Sequence, residues 1–257
     1  MLRRMLGKGG TVVVPIPEAG VCTPYPIPIP ITSGLLSYVS VFNSCDNFKL
    51  NDATGAITAD GDTCAYNVDI SLNNNNAKTL GASGTAIKAP KYVDNGAGDV
   101  YWRTENPSAA PNMTINPSWR INTDYKTSIF LVRCSDVTDN VSTRIGLHGA
   151  SFILRFSATG FLEVFNSGIS TSSLAGVDNE WFVMSCRTNN DIVLGYDKSY
   201  DNIKGSVSTI SANFEFWSER SFFGWLNDMR EVAVYSGALS DTDLDTMVDY
   251  MKTKWGL

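Results

Sequence analysis

WLNDMREVAVY at residues 225–235, SGALSD at 236–241 and TDLDTMVDYMKTKWGL at 242–257 read as one strand running into one helix. In the first stretch Met229 to Tyr235 is a β-rich run with Val232 and Val234 on one face, the period of a strand packed on one side. Ser240 then offers its hydroxyl as an N-cap, with Asp243 at the third helical position as an acidic variant of the capping box. Asp241, Asp243 and Asp245 stand where the helix dipole favours negative charge. Leu244, Met247, Val248 and Met251 recur at i, i+3, i+4 and i+7, a single apolar stripe. Lys252 and Lys254 suit the C-terminal end and Gly256 suits the stop. The spacing predicts a helix over about 241–254 that lays its stripe on a sheet.

Upstream, the period is that of strands. Thr127 to Cys134 is a continuous β-forming run. Phe152, Leu154 and Phe156 alternate with Ser151 and Arg155, SATG at 157–160 turns the chain, and Phe161 to Phe165 returns: a hairpin by pattern. A second hairpin runs from Trp181 to Cys186, through a turn at Asn189-Asn190, and back along Ile192 to Tyr196. Strands and turns without a βαβ rhythm predict an antiparallel sandwich. Residues 35–120 carry less signal. Leu35 to Phe42 reads as a strand, Asn73 to Asn76 as a loop, and Gly81, Gly84, Gly96 and Gly98 punctuate the rest. Residues 103–118 hold three prolines and read as loop. The pattern leaves open whether 35–120 completes the sandwich or forms a lobe of its own.

The segment TVVVPIPEAGVCTPYPIPIPI at 11–31 has proline at 15, 17, 24, 26, 28 and 30. Proline fixes φ and has no N–H to give, and it holds the preceding residue extended. Residues 1–34 are therefore expected to be a stiff extended arm, and 35–257 the folded domain. Two readings of the arm stand: a linker, or a strap whose apolar positions Val14, Ile16, Tyr25, Ile27, Ile29 and Ile31 lie on a neighbouring subunit.

Composition narrows the function classes. Charged residues are 18% and the formal net charge is −6, so the surface is Ser/Thr/Asn-rich. Past Arg3, Arg4 and Lys8 there is no basic run, which disfavours nucleic acid as a partner. No stretch has the 18 or more apolar residues of a membrane helix, and the apolar run at Val12 to Val14 stops at Pro15, short of a secretion signal. The expectation is synthesis in a host cytoplasm without a signal peptide. Five cysteines, none in a CxxC, with one histidine argue against structural zinc. A Cys45–Cys64 disulfide or scattered free thiols fit the spacing, and a reducing compartment favours the thiols.

The C-terminal stretch resembles the end of a concanavalin A-like, laminin-G-like jelly roll. In that family a strand of the type G-x-I-x-E-V-x-V-Y leads to A-L-S-D and a helix ending Y-L-x-x-K-W/Y-G-L. Glu231, Tyr235, Leu239, Ser240, Tyr250, Lys254 and Gly256 fall on those positions, with Met229 where isoleucine is commoner. The resemblance extends over about 125–257 and is specific over the last thirty residues. It implies an all-β, antiparallel two-sheet jelly-roll sandwich with one short C-terminal helix. Domains with such ends are frequent in bacterial surface proteins and phage virion proteins, and the Pro-rich arm suits the second setting. The partners so implied are other virion proteins (capsid or tail subunits), further copies of the chain, and a host-surface glycan.

The chemistry in the sequence is sparse. Hydrolases of this fold carry a strand motif like E-x-D-x-x-E, and Glu163, Glu180, Glu215, Glu219 and Glu231 have no carboxylate at that spacing. Glu231 is expected to be structural, pairing with Arg230 or capping backbone groups. His148 stands without a G-x-S-x-G elbow and shares a strand face with Phe152 and Leu154. No catalytic set is expected. For sugar, Tyr101, Trp102 and Arg103 are the leading candidates, followed by Trp119 and Trp217, with a core role as the competing reading. Asp94 and Asp99 in a Gly-rich loop are the calcium candidates, without EF-hand spacing, and no other cofactor is implied. The sequons at Asn112 and Asn140 matter only in a eukaryotic secretory pathway. The function expected is a non-catalytic structural protein of a phage capsid or tail surface that binds glycan, the alternative being a stand-alone carbohydrate-binding module or lectin, and after it a glycoside hydrolase of the same fold.

Overall fold

The computed structural model describes residues 28–41, 48–49, 60–61, 64–67, 71, 73, 77–79, 91–96, 98–103, 119–121, 125–138, 145–148, 152–165, 169–207, 214–216 and 227–257. The elements in chain order are β1 (Leu35–Ser40), β2 (Phe48–Lys49), β3 (Cys64–Asn67), β4 (Ala77–Thr79), β5 (Lys91–Asp94), β6 (Val100–Arg103), β7 (Trp119–Ile121), β8 (Thr127–Cys134), β9 (Ile145–His148), β10 (Phe152–Phe156), β11 (Phe161–Phe165), β12 (Ile169–Ala175), β13 (Trp181–Tyr196), β14 (Ser199–Val207), β15 (Phe214–Phe216), β16 (Asn227–Tyr235) and α1 (Asp241–Trp255). All strand pairs are antiparallel.

One sheet runs β14-β13-β8-β16-β6-β5, and β1 also pairs with β16. Thus β1, β5 and β6, from the stretch with the weakest sequence signal, join the same sheet as the C-terminal strands. A four-stranded sheet, β12-β11-β10-β9, faces it, and a five-stranded sheet, β15-β7-β4-β3-β2, comes alongside at β15 and β9. The central strand β8 is buried on both faces, which is why it reads as a continuous apolar run. Phe130, Val132 and Cys134 turn to the facing sheet and join Phe182, Met184, Leu154, Phe156 and Leu162. Ile129 and Leu131 turn the other way, under the helix, with Tyr38, Val183, Ala233 and Tyr235.

The helix forms as its caps dictate. Ser240 accepts from the Asp243 N–H at 3.1 Å and donates to its carboxylate at 2.8 Å. Gly256 ends the helix in the left-handed region, at φ 68°. Leu244, Met247, Val248 and Met251 are all buried against the sheet, at roughly 1.5–3 kcal/mol each relative to exposure.

β13 doubles back on itself. A straight strand would part Phe182 from Tyr196 by roughly 46 Å at 3.3 Å per residue. Their rings instead stack with centroids 4.6 Å apart, and the Asp197 N–H donates to the Val183 carbonyl at 2.7 Å. The first leg, 181–187, pairs with β8, and the second pairs with β14. The reversal falls at Asn189-Asn190, where the sequence places a turn. The legs approach so closely at Gly195 that a Cβ there would lie 2.2 Å from the Ser185 hydroxyl oxygen. The β10–β11 hairpin also follows the sequence, with Gly160 at φ 78° in its turn.

The end of the arm is seated on its own domain. Ile29 and Ile31 pack against the cluster beneath the helix while Pro28 and Pro30 are exposed. The Tyr235 hydroxyl donates to the Ile31 carbonyl at 3.1 Å. These two isoleucines are thus partly covered by their own domain. Val14, Ile16, Tyr25 and Ile27 lie outside the described residues.

Candidate binding cleft

Glu231, the acid singled out by the C-terminal motif, is structural, but its partner differs from the expectation. It is fully buried and pairs with Lys254, also fully buried, at 2.5 Å. The Tyr38 hydroxyl donates to the same carboxylate, and Ser40 donates at 2.8 Å. Burial pushes the Lys254 ammonium below its ordinary value while Glu231 pulls it back up. The last turn of α1 is thereby tied to β16 and β1.

Arg230 goes elsewhere because of a β-bulge. Register against β8 shifts between Met229 and Glu231. Such a bulge sets two successive residues opposite one and re-aims a side chain. Arg230 and Glu231 consequently both lie on the helix side. The Arg230 guanidinium is 4.1 Å from the Trp181 ring centroid and 4.4 Å from that of Trp255, and pairs with Asp99 at 2.6 Å.

Beyond the end of α1, register assembles a polar row across the sheet. Lys91 of β5 stands opposite Arg103 of β6, Arg103 opposite Asp228 of β16, Asp228 opposite Arg133 of β8, and Arg133 opposite Trp181 of β13. Asp228, only 7% exposed, is gripped from both sides. Arg103 donates from Nε at 2.7 Å and from Nη2 at 3.0 Å, and Arg133 from Nε at 2.9 Å and from Nη2 at 2.7 Å. Arg133 also lies 4.8 Å from the Tyr101 ring centroid and 4.7 Å from that of Trp181, so aromatic rings back the guanidinium and limit its motion. Arg103, Arg133, Asp228, Ser135 and Asn179 line a cleft of about 180 Å³. Asn179 holds φ 59° there, with its amide donating to the Ser135 carbonyl at 3.2 Å. An Asn tolerates that left-handed backbone better than most residues. The cleft can offer a ligand guanidinium and amide donors, a hydroxyl and a carboxylate acceptor.

The sequence candidates divide. Arg103 enters the cleft. Tyr101 and Trp102 are core residues, 2% and 1% exposed, which corrects their reading as stacking platforms. Trp102 packs edge-on to Tyr92 in the sandwich interior at 5.5 Å, and Tyr101 packs edge-on to Trp181 at 5.9 Å. Trp119 is on β7, but its side chain, like all of Trp217, lies outside the described residues. Asp94 caps the Gly96 N–H at 2.8 Å. Asp99 takes the Arg230 guanidinium and, at 2.9 Å, the Asn95 amide, so a cation already occupies its side. Among the described residues no three metal-ligating acids, histidines or cysteines come together. Cys134 and Cys186 are buried free thiols raised by burial, Cys186 to about 12. The Cys45–Cys64 pairing and the His148 side chain lie outside the described residues. Arg133, Asp228, Ser135 and Asn179 went unnoticed in sequence because only strand register and the loops after β8 and before β13 unite them.

No protein-family model and no curated protein matches the chain. Solved structures do resemble it. The sialidase of Trypanosoma rangeli aligns with a TM-score of 0.56 at 11% identity, over 91% of this chain and 36% of that one. The receptor-binding domain of botulinum neurotoxin D aligns with a TM-score of 0.51 at 13% identity, over 86% of this chain and 53% of that one. The chain thus spans about a third to a half of the length of these structures. At such identities the likeness carries the fold alone: the chain is an antiparallel β-sandwich of jelly-roll type with one C-terminal helix docked on its larger sheet.

Proposed function

We propose that the protein is a non-catalytic glycan-binding sandwich module. The observation that carries this is the cleft in which Arg103, Asp228 and Arg133, aligned by strand register and backed by Tyr101 and Trp181, meet Ser135 and Asn179. Few convergent polar groups in a small concavity on a rigid scaffold suit recognition of hydroxyls. At about 180 Å³ the cleft is smaller than the roughly 300 Å³ of a drug-sized site, in keeping with one terminal sugar unit. The resembling structures are named for sialidase activity and for receptor binding, and the sandwich fold they share with this chain is compatible with a glycan ligand. The non-catalytic reading rests on the carboxylates: Asp228 and Asp99 are each held by arginine and Glu231 by Lys254, whereas glycoside hydrolysis needs two carboxyl groups flanking the bond. The test is binding of the full chain to an immobilised glycan panel, with Ser135→Trp as the probe that fills the cleft. Wild type binds, and Ser135→Trp loses at least tenfold at an unchanged melting temperature. Equal binding by both moves the site elsewhere.

The setting we propose is a phage capsid or tail surface, with the arm as anchor to other virion subunits or to copies of the chain. The alternating Pro and apolar positions of the arm favour it, and they continue on the N-terminal side of the docked pair Ile29 and Ile31. Light scattering of the full chain against one beginning at Pro28, which keeps that pair, tests self-assembly. Loss of assembly on truncation supports the anchor, and identical monomers remove the self-assembly form of it.

A further inference from the structure

We infer that Asn179 is the specificity-determining residue of this cleft, and that the group it reads together with Arg133 is a pair of neighbouring sugar hydroxyls; the inference rests on the glycan-binding reading above. What a ligand meets in the cleft is set by the donors and acceptors that the protein has not used itself. Asp228 takes four hydrogen bonds from Arg103 and Arg133, about as many as a carboxylate has lone-pair sites. It is the committed acceptor. Arg133 commits its Nε and Nη2 to that carboxylate, and its Nη1 has no hydrogen-bond partner among the described residues. The Arg133 side chain is 21% exposed and lines the cleft. Its packing on the Tyr101 and Trp181 rings limits the ordering that a ligand would impose.

Asn179 is the open acceptor. Its backbone N–H donates to the Cys134 carbonyl at 2.8 Å, and its side-chain Nδ2 donates to the Ser135 carbonyl at 3.2 Å. These two bonds staple the turn before β13 to the residues that directly follow Arg133, and both side chains line the one cleft. The Nδ2 bond also fixes which end of the amide is which. The nitrogen faces Ser135, and Oδ1 accepts from no donor among the described residues. The backbone at φ 59° suits glycine at least as well as asparagine, so the turn by itself does not require this side chain.

The cleft therefore sets N–H donors on Arg133 beside an acceptor on Asn179. A hydroxyl both donates and accepts. Two neighbouring hydroxyls, one accepting from Arg133 and the other donating to Asn179, answer both groups. A ligand group that only accepts leaves Asn179 unanswered.

The test measures the full chain against a glycan panel. The tightest-binding glycan is then presented with its terminal unit in single-position deoxy and deoxyfluoro forms. In wild type, deleting the hydroxyl that meets Asn179 is expected to weaken binding roughly two- to tenfold, the range of one neutral hydrogen bond. Fluorine at that position does not restore it, because fluorine cannot donate. At one adjacent position fluorine is expected to recover part of the loss, because it still accepts from Arg133. In Asn179→Gly the first deletion costs nothing further, while the penalties at other positions stay. The melting temperature of that variant is expected to stay within a few degrees of wild type, since glycine fits the turn. A residue that only shapes the turn would weaken all forms alike and leave every ratio intact, and that outcome overturns the assignment while glycan binding stands. Rescue by fluorine at the Asn179 position, or no recovery at any adjacent one, overturns the hydroxyl pair. Binding of no glycan by wild type overturns this inference and the glycan-binding reading together.

Discussion

At the scale of single residues, the buried Lys254–Glu231 pair is the most consequential feature of the C-terminal motif. Removing one partner of a buried ion pair leaves the other charge unpaired at about 3–5 kcal/mol. Lys254→Met should therefore cost that much in urea unfolding, and adding Glu231→Gln to it should restore part of the loss; equal stability of both variants would contradict the pairing. The tyrosines around the helix give the pH dependence. Tyr38 is raised well above its ordinary value by burial first and by Glu231 next, and Tyr235 is raised by burial and then Asp243. The folded state thus holds these protons more tightly than the unfolded chain. Their contribution is complete below about pH 10 and is lost as pH rises from there towards the folded values, by up to about 1.4 kcal/mol per pH unit for each. Urea midpoints between pH 9 and 11 should fall more steeply in wild type than in Tyr38→Phe. Parallel slopes would contradict the shift.

At the scale of elements, α1 was legible residue by residue. Ser240, Asp243, the stripe from Leu244 to Met251 and Gly256 all act as their spacing implies, because caps and amphipathic periods are local physics. Ser240→Ala should cost about 1 kcal/mol in the same unfolding assay, with the far-UV spectrum unchanged. What was not legible is register. The bulge at Met229/Glu231 sends Arg230 to the helix side, and no composition rule marks a bulge without glycine. Lys254, which the sequence places at the helix end, is buried against Glu231, and nothing in the helix pattern marks that pairing. The hairpin within β13 was legible from Asn189-Asn190, but the close approach that Gly195 permits was not. Gly195→Ala should destabilise markedly, because the Ser185 hydroxyl and the Tyr200 ring, itself 3.0 Å from the added carbon, leave no room. A melting temperature equal to wild type would contradict that packing.

At the scale of the whole molecule, the antiparallel sandwich was predictable from strands without a βαβ rhythm, while the cleft was not. Its residues come from β6, β8, β16 and the loops after β8 and before β13, and sequence places Arg103, Arg133, Asn179 and Asp228 far apart. The aromatic cue in Tyr101-Trp102 pointed to the right strand for the wrong reason. These rings build the wall and the core, and the polar neighbours on adjacent strands make the site. The arm shows the same limit, since alternation told its apolar face but not that Ile29 and Ile31 settle on their own domain. The most direct check of the glycan-binding account is to follow the backbone amides of the labelled full chain by NMR while titrating a glycan that it binds. The account predicts saturable shifts concentrated at Arg103, Arg133, Ser135, Asn179 and Asp228. Shifts confined to other surfaces, with these five amides unmoved, would contradict it.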